Sequence, residues 1–275
     1  MADLTTSKLE ALGNQLPHGL AGLDGARQDF SFKRSTANLE VAIGALKTMP
    51  VMIQRPGWLA VHALKLTLDT LAGEDMNKLP EEQAILHIAR LPFVDVFHLL
   101  YARFWHRKKY VVADVARGCY ACSKVIPAGT RMQVGDMLVQ ARPSWTEMPT
   151  DEVVFDEPID LPGLGETERV TVEVPSWEST WYGLSQSEWS NDEAIKLRIA
   201  EAAVVGTPDK PKGKFTRRPK GWLGEADPSA YEQISDAIVT GFAGGPVPAL
   251  PLPCPECATE TPVPFSWRAL APYGR

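Results

Sequence analysis

Four cysteines fall into two C-x-x-C pairs, Cys119-Tyr120-Ala121-Cys122 and Cys254-Pro255-Glu256-Cys257, and the chain has no others. A C-x-x-C turn puts two sulfurs on one side of a tight loop. Two such turns complete a tetrahedral set of four thiolates, a geometry zinc takes readily. The count is specific because no thiol is left over. The interval is long: 131 residues, 123 to 253, separate the pairs, whereas a local zinc ribbon places its second pair about 15–20 residues on. One shared metal requires the fold to bring distant turns together, and it makes everything between Cys122 and Cys254 one closed loop.

Other uses of the thiols fit less well. A redox C-x-x-C is usually single and follows a strand of a thioredoxin-like unit. Disulfides need an oxidising compartment, and a polar N-terminus with Asp3 and Glu10 does not read as a secretory signal. Four thiolates also close the coordination shell and leave no position for water, so the expectation is structural rather than catalytic Zn²⁺.

The elements that must position these turns are legible in part. Residues 1–35 are rich in turns, around Leu16-Pro17-His18-Gly19 and Gly22-Leu23-Asp24-Gly25, and read as a loosely structured arm with a possible short strand at Phe30 and Phe32. Leu39, Ala42, Ile43 and Leu46 follow helical spacing, Pro50 and Pro56 break the chain, and Trp58–Leu71 reads as a second apolar helix. Glu81 and Glu82 after Pro80 open a third helix. Phe93 to Trp105 is apolar nearly all round, which predicts the central buried helix. Asp95 and Arg103 interrupt it and are expected to act as a structural polar pair tying the helix to neighbouring segments, or to serve a function.

Beyond the basic run His106-Arg107-Lys108-Lys109, strands are predicted at 110–115, 131–140, 152–155 and 169–174. Between Pro143 and Glu168 lie eight acids and no Lys or Arg, which reads as a solvated face or a dock for a basic partner. Trp177, Trp181, Tyr182 and Trp189 read as a core corner or an interface hot spot, and the strands and helix beside them favour the core. A helix over 192–205 follows. The stretch 206–225 carries Lys210, Lys212, Lys214, Arg217, Arg218 and Lys220 among prolines and glycines, and reads as a mobile basic loop that binds a partner. Asp227-Pro228 starts the last helix. A strand from Val247 to Pro253 then enters the second pair, and 261–267 pairs back on it. The predicted class is α+β: a helical N-terminal half, a β-rich middle, and C-terminal helices closing on a Cys₄ zinc knuckle. The expected organisation is an arm over 1–35 and a single domain over 36–275, its parts being 36–115, 116–180 and 181–275.

This order of features resembles the T-even bacteriophage baseplate protein family of contractile tails and related injection systems. The resemblance rests on Asp95, Leu99-Leu100 and Arg103 on a helix, on both cysteine pairs, on Pro264-Phe265 and on the Leu16-Pro17-His18-Gly19 turn. It implies a non-enzymatic assembly chaperone or minor structural component of the baseplate, with hub or spike proteins as partners. The basic, aromatic segment after Arg103 and the 206–225 loop depart from the family pattern.

Composition bounds the remaining classes. Net charge of −6 gives no overall reason to expect nucleic acid, although the two basic stretches keep a zinc-ribbon nucleic-acid-binding factor as the alternative. No apolar run reaches the roughly 18 residues of a membrane helix, so a cytosolic setting is expected; the family resemblance implies the cytoplasm of a bacterial host during assembly, or retention in the tail baseplate. G-x-S-x-G, P-loop, dinucleotide and H-E-x-x-H patterns are missing from the sequence. No catalytic residue and no small-molecule substrate are therefore expected.

Overall fold

The computed structural model describes residues 14–22, 25–107, 110–113, 115–134, 138–140, 152–211, 214–216, 218–242 and 247–264 of the chain. Strands β1 (Gln15–Gly22) and β2 (Gly25–Phe32) form an antiparallel hairpin, followed by helices α1 (Ala37–Thr48), α2 (Pro50–Gln54) and α3 (Pro56–Thr67). Strands β3 (Leu68–Leu71) and β4 (Glu74–Asp75) extend the hairpin into a sheet of order β1-β2-β3-β4, ahead of α4 (Glu81–Ala89) and α5 (Phe93–Arg107).

Three expectations change here. The described part of the 1–35 arm is two paired strands rather than loose chain, with Leu16 and Phe30 buried. Pro50 and Pro56 do not simply break the chain, because each stands at the start of a helix, where a missing N–H costs nothing. The apolar helix expected over 58–71 stops at Thr67, whose hydroxyl donates to the Ala63 and Leu64 carbonyls at 3.0 Å. The backbone turns extended at Leu68, and Leu68 and Leu71 are buried on the sheet instead.

The expected central helix is α5. Its first turns are buried on every side: Phe93, Val94, Val96, Leu99 and Leu100 are all in the core. The aromatic corner packs against it. Phe97 meets Trp177 and Trp181 edge-on with ring centres at 5.2 and 5.3 Å, and the two indoles stack at 5.8 Å. Trp177 Nε1 donates to the Gly57 carbonyl at 3.2 Å. A side chain at Gly57 would overlap the Trp181 carbonyl, so the close approach of α3 to this turn requires glycine there.

The middle of the chain is built from short strands: β5 (Tyr110–Val112), β6 (Arg117–Gly118), β7 (Val125–Ile126), β8 (Arg131–Gln133) and β9 (Leu138–Gln140). The strand expected over 131–140 is thus two pieces, and 135–137 lie outside the described residues. Strands β10 (Glu152–Leu161) and β11 (Gly165–Val172) form the longest hairpin. Its inner face buries Val153, Phe155, Ile159, Leu161, Val170 and Val172. Its outer face exposes Glu152, Asp156, Asp160, Glu166 and Glu168, so the described part of the acidic stretch is a solvated strand face, while 141–151 are not described.

Helices α6 (Gln186–Trp189) and α7 (Asp192–Ala203) follow, then β12 (Val204–Gly206), α8 (Pro228–Phe242) and the hairpin of β13 (Val247–Pro253) with β14 (Glu260–Pro264). Helix α7 ends at Ala203 rather than 205, because β12 pairs with β11. Asp227 accepts from the Ser229 amide at 2.9 Å, closing the start of α8 as its sequence predicts.

Candidate metal centre

Each cysteine pair sits at the end of a small hairpin. Strands β6 and β7 hold the first turn, with Gly118 opposite Val125. Strands β13 and β14 hold the second, with Pro253 opposite Glu260. The two turns repeat one backbone pattern. The Cys119 amide donates to Lys124 at 2.8 Å and the Ser123 amide donates to Cys119 at 2.9 Å; Cys254 with Thr259 and Ala258 with Cys254 make the same bonds at 3.0 and 2.9 Å. Ser123 and Ala258, one residue past each second cysteine, both have positive φ, 58° and 57°. That is the left-handed region where glycine is unstrained and other residues are not.

What joins the turns is sheet pairing. Strand β13 bonds to β14 on one side and to β9 on the other, Val247 opposite Gln140 and Ala249 opposite Leu138. Leu250 and Leu252 on β13 are fully buried, as are Ile126 and Val134 beneath the first turn. The last described strands therefore dock on the segment that follows the first cysteine pair.

The outcome is one cluster. The four sulfurs of Cys119, Cys122, Cys254 and Cys257 lie within 4.8 Å of one another. Cys119 Sγ is 3.7 Å from Cys257 Sγ, and Cys122 Sγ is 3.7 Å from Cys254 Sγ. All four are free thiols, and a disulfide would need about 2 Å. Sulfurs at about 2.3 Å from a central zinc stand about 3.8 Å apart along a tetrahedral edge. The donor set and its spacing fit a thiophilic ion. Cys119 and Cys254 are buried, Cys122 is half-buried and Cys257 is exposed.

Backbone amides point at the sulfurs. Those of Cys122 and Ala121 bond Cys119 and lower its pKa. The Thr259 hydroxyl and amide, first among its causes, bring Cys257 down to about 6. The Lys124 amide acts the same way on Cys122, but burial and three neighbouring sulfurs outweigh it and push that thiol up to about 12. Sulfur crowding of this kind is relieved when a cation sits between the thiolates.

The other predicted residues are elsewhere. Asp95 is fully buried in the first turn of α5 and accepts from the Gly19 amide at 2.6 Å and the His18 amide at 3.1 Å. These amides lie where β1 slips register against β2. Gly19 has φ +73° there, and a side chain would overlap the Arg27 carbonyl. Burial raises the Asp95 carboxyl to about 7, against the two amides, which lower it. Asp95 therefore ties α5 to the β1 turn, while Arg103, expected beside it as the second polar residue, lines a recess with Lys33 and Thr67.

The basic loop is not the free insertion its composition predicts. Arg218 donates to the Gly163 carbonyl at 2.6 Å, Lys220 pairs with Glu188 at 2.6 Å, and Leu223 is fully buried with its amide on Glu201. Lys210 and Lys214 are exposed, while Lys212 and Arg217 lie outside the described residues. The signal missed in the sequence was Trp222-Leu223, an apolar pair set among cations. Of the 106–109 run, His106 and Arg107 end α5 and the two lysines are not described. Among the described residues no helix is long and apolar enough to cross a membrane.

No family model, no curated protein and no solved structure matches this chain.

Proposed function

We propose that this chain is a non-enzymatic, zinc-stapled assembly protein or minor structural component of a contractile-tail baseplate or related injection system, working in the bacterial cytoplasm with hub or spike proteins. The observation that carries the reading is the gathering of all four cysteines into one set across 131 intervening residues. Four sulfurs fill a zinc shell, so the ion's work is to fix structure. Zn²⁺ would be held by Cys119 and Cys122 from one hairpin and by Cys254 and Cys257 from the other. The baseplate assignment itself rests on the family resemblance of the Asp95 helix, the Leu16–Gly19 turn and the cysteine pairs. Asp95 meeting His18 and Gly19 ties two of those motifs into one unit.

Two measurements test it. Native mass spectrometry is expected to find one zinc per chain. Removing the chain from a tail-producing strain is expected to stop assembly at the baseplate; complete, infective tails would overturn the assignment.

One observation favours a second reading, a nucleic-acid-binding factor. The first cysteine lobe exposes Arg117, Lys124 and Arg131 and carries Tyr120 at 68% exposure. Salt-dependent binding of single-stranded DNA or RNA, lost in Tyr120→Ala and Lys124→Glu, would select it.

A further inference from the structure

The four sulfurs do not stand equally toward solvent. Cys119 and Cys254, the first cysteine of each turn, are buried, at 3% and 2% exposure. Cys122 is half-buried and Cys257 is exposed. The residues flanking Cys257, from Pro255 to Ala258, are exposed as well, so that side of the cluster is open to solvent.

Two sulfur contacts at 3.7 Å both cross from one turn to the other, Cys257 with Cys119 and Cys122 with Cys254. Each joins the shallower sulfur of one turn to the deeper sulfur of the other. The pairing occurs twice because both turns follow one backbone pattern, with positive φ at Ser123 and at Ala258. An accessible sulfur beside a second sulfur is the arrangement of a redox-sensitive thiol pair.

We propose that Cys257 is a site of oxidative modification by peroxides, and that its oxidation exchanges the metal clasp for a disulfide to Cys119 between the same two hairpins. The Cys257 thiolate attacks one oxygen of hydrogen peroxide; the O–O bond breaks, hydroxide leaves and a sulfenic acid remains on Sγ. The Cys119 thiolate then attacks that sulfur, the S–O bond breaks and a second hydroxide leaves. Two electrons pass from two thiolates to one peroxide, and the loss of two ligands frees the ion. A second peroxide takes Cys122 and Cys254 through the same steps. Cys119 and Cys257 are 138 positions apart, so their bond closes nearly the same long loop as the metal, whereas a disulfide within one turn would close none of consequence. The proposal deepens the zinc-stapled assembly reading and rests on it for the ion. A chain carried from a reducing cytoplasm to an oxidising exterior would stay fastened after losing its metal.

The test treats the full-length chain with hydrogen peroxide, zinc-loaded and, separately, stripped of metal and reduced. Released zinc is followed with a chromogenic chelator, and disulfides are mapped by mass spectrometry of unreduced peptides. Dimedone present with substoichiometric peroxide is expected to label Cys257 ahead of the other cysteines. Zinc release is expected to rise in step with the peptide linking Cys119 to Cys257, and dithiothreitol with added zinc to reverse both. The oxidised chain is expected to melt above the stripped, reduced chain. Within-turn disulfides as the main product, first labelling of any other cysteine, or no rise in melting temperature over the stripped chain overturns the proposal. So does sulfinic acid at Cys257 without a disulfide, or zinc retained with the thiols intact. A chain isolated without zinc would fail the staple reading alone, because mapping of the stripped chain still decides which disulfide forms.

Discussion

The helical half and the cysteine lobe are held together by different means. In the first, Leu59, Leu64, Ile88, Leu91 and Leu99 are completely enclosed among α3, α4, α5 and the segments between them. In the second, β5 to β8 are two or three residues long, and Tyr110, Val112, Val115, Tyr120 and Val125 are all exposed by 46–68%. Two-stranded ribbons of this length are not stable alone. The difference teaches where a metal would matter most: ligation by the four gathered sulfurs would add to the limited apolar burial that strands this short provide.

The largest effect is expected at the sulfurs. Cys119→Ser or Cys254→Ser should lose the metal and cost about 5 kcal/mol or more. Hydrogen exchange should then rise in β5–β9 and β13–β14 while α3 and α5 stay protected. Equal loss of protection in both regions would break the contrast. Leu99→Ala should cost about 3–5 kcal/mol through a core cavity, with zinc content by mass spectrometry unchanged.

A third effect is pH-dependent and belongs to the helical half. The Asp95 carboxyl rises from 3.8 to about 7 on folding, so the folded state holds the proton more tightly than the unfolded one. That contribution is complete below the unfolded value and is lost as pH rises through about 7, a change of roughly 4 kcal/mol. Urea midpoints of the wild type and Asp95→Asn, compared at pH 5 and pH 8, should show the asparagine variant with the flatter dependence. The smallest effect sharpens the symmetry of the two turns. Ser123→Gly and Ala258→Gly should each stabilise by about 1 kcal/mol, because both positions have positive φ.

Much of this contrast was legible from residue type alone. Counting cysteines paired the two turns, and the apolar run from Phe93 announced α5. Other parts depended on contacts far along the chain. Leu68–Leu71 continues the apolar pattern of α3, so only its pairing with β2 makes it a strand. Pro17 and Gly19 looked like loop residues because the partner that satisfies their turn, Asp95, is 76 residues from Gly19. The basic stretch hid an anchor in Leu223, whose side chain enters the apolar core and whose amide donates to the Glu201 carboxylate, a partner 22 residues away. The recess lined by Lys33, Thr67 and Arg103 draws on separate segments, so no local spacing could reveal it.

The joined cysteine turns also have a mechanical consequence. With a metal among the four sulfurs, a pull applied outside Cys119 and Cys257 passes through metal–sulfur bonds and bypasses the 131 residues of the loop. Those residues, including α7, α8 and the acidic hairpin, bear no load until a ligand bond ruptures. Rupture would then release slack on the order of 450 Å, at about 3.5 Å per residue. A load-bearing clasp of this kind would appear in single-molecule stretching as one long extension step, absent once the metal is stripped.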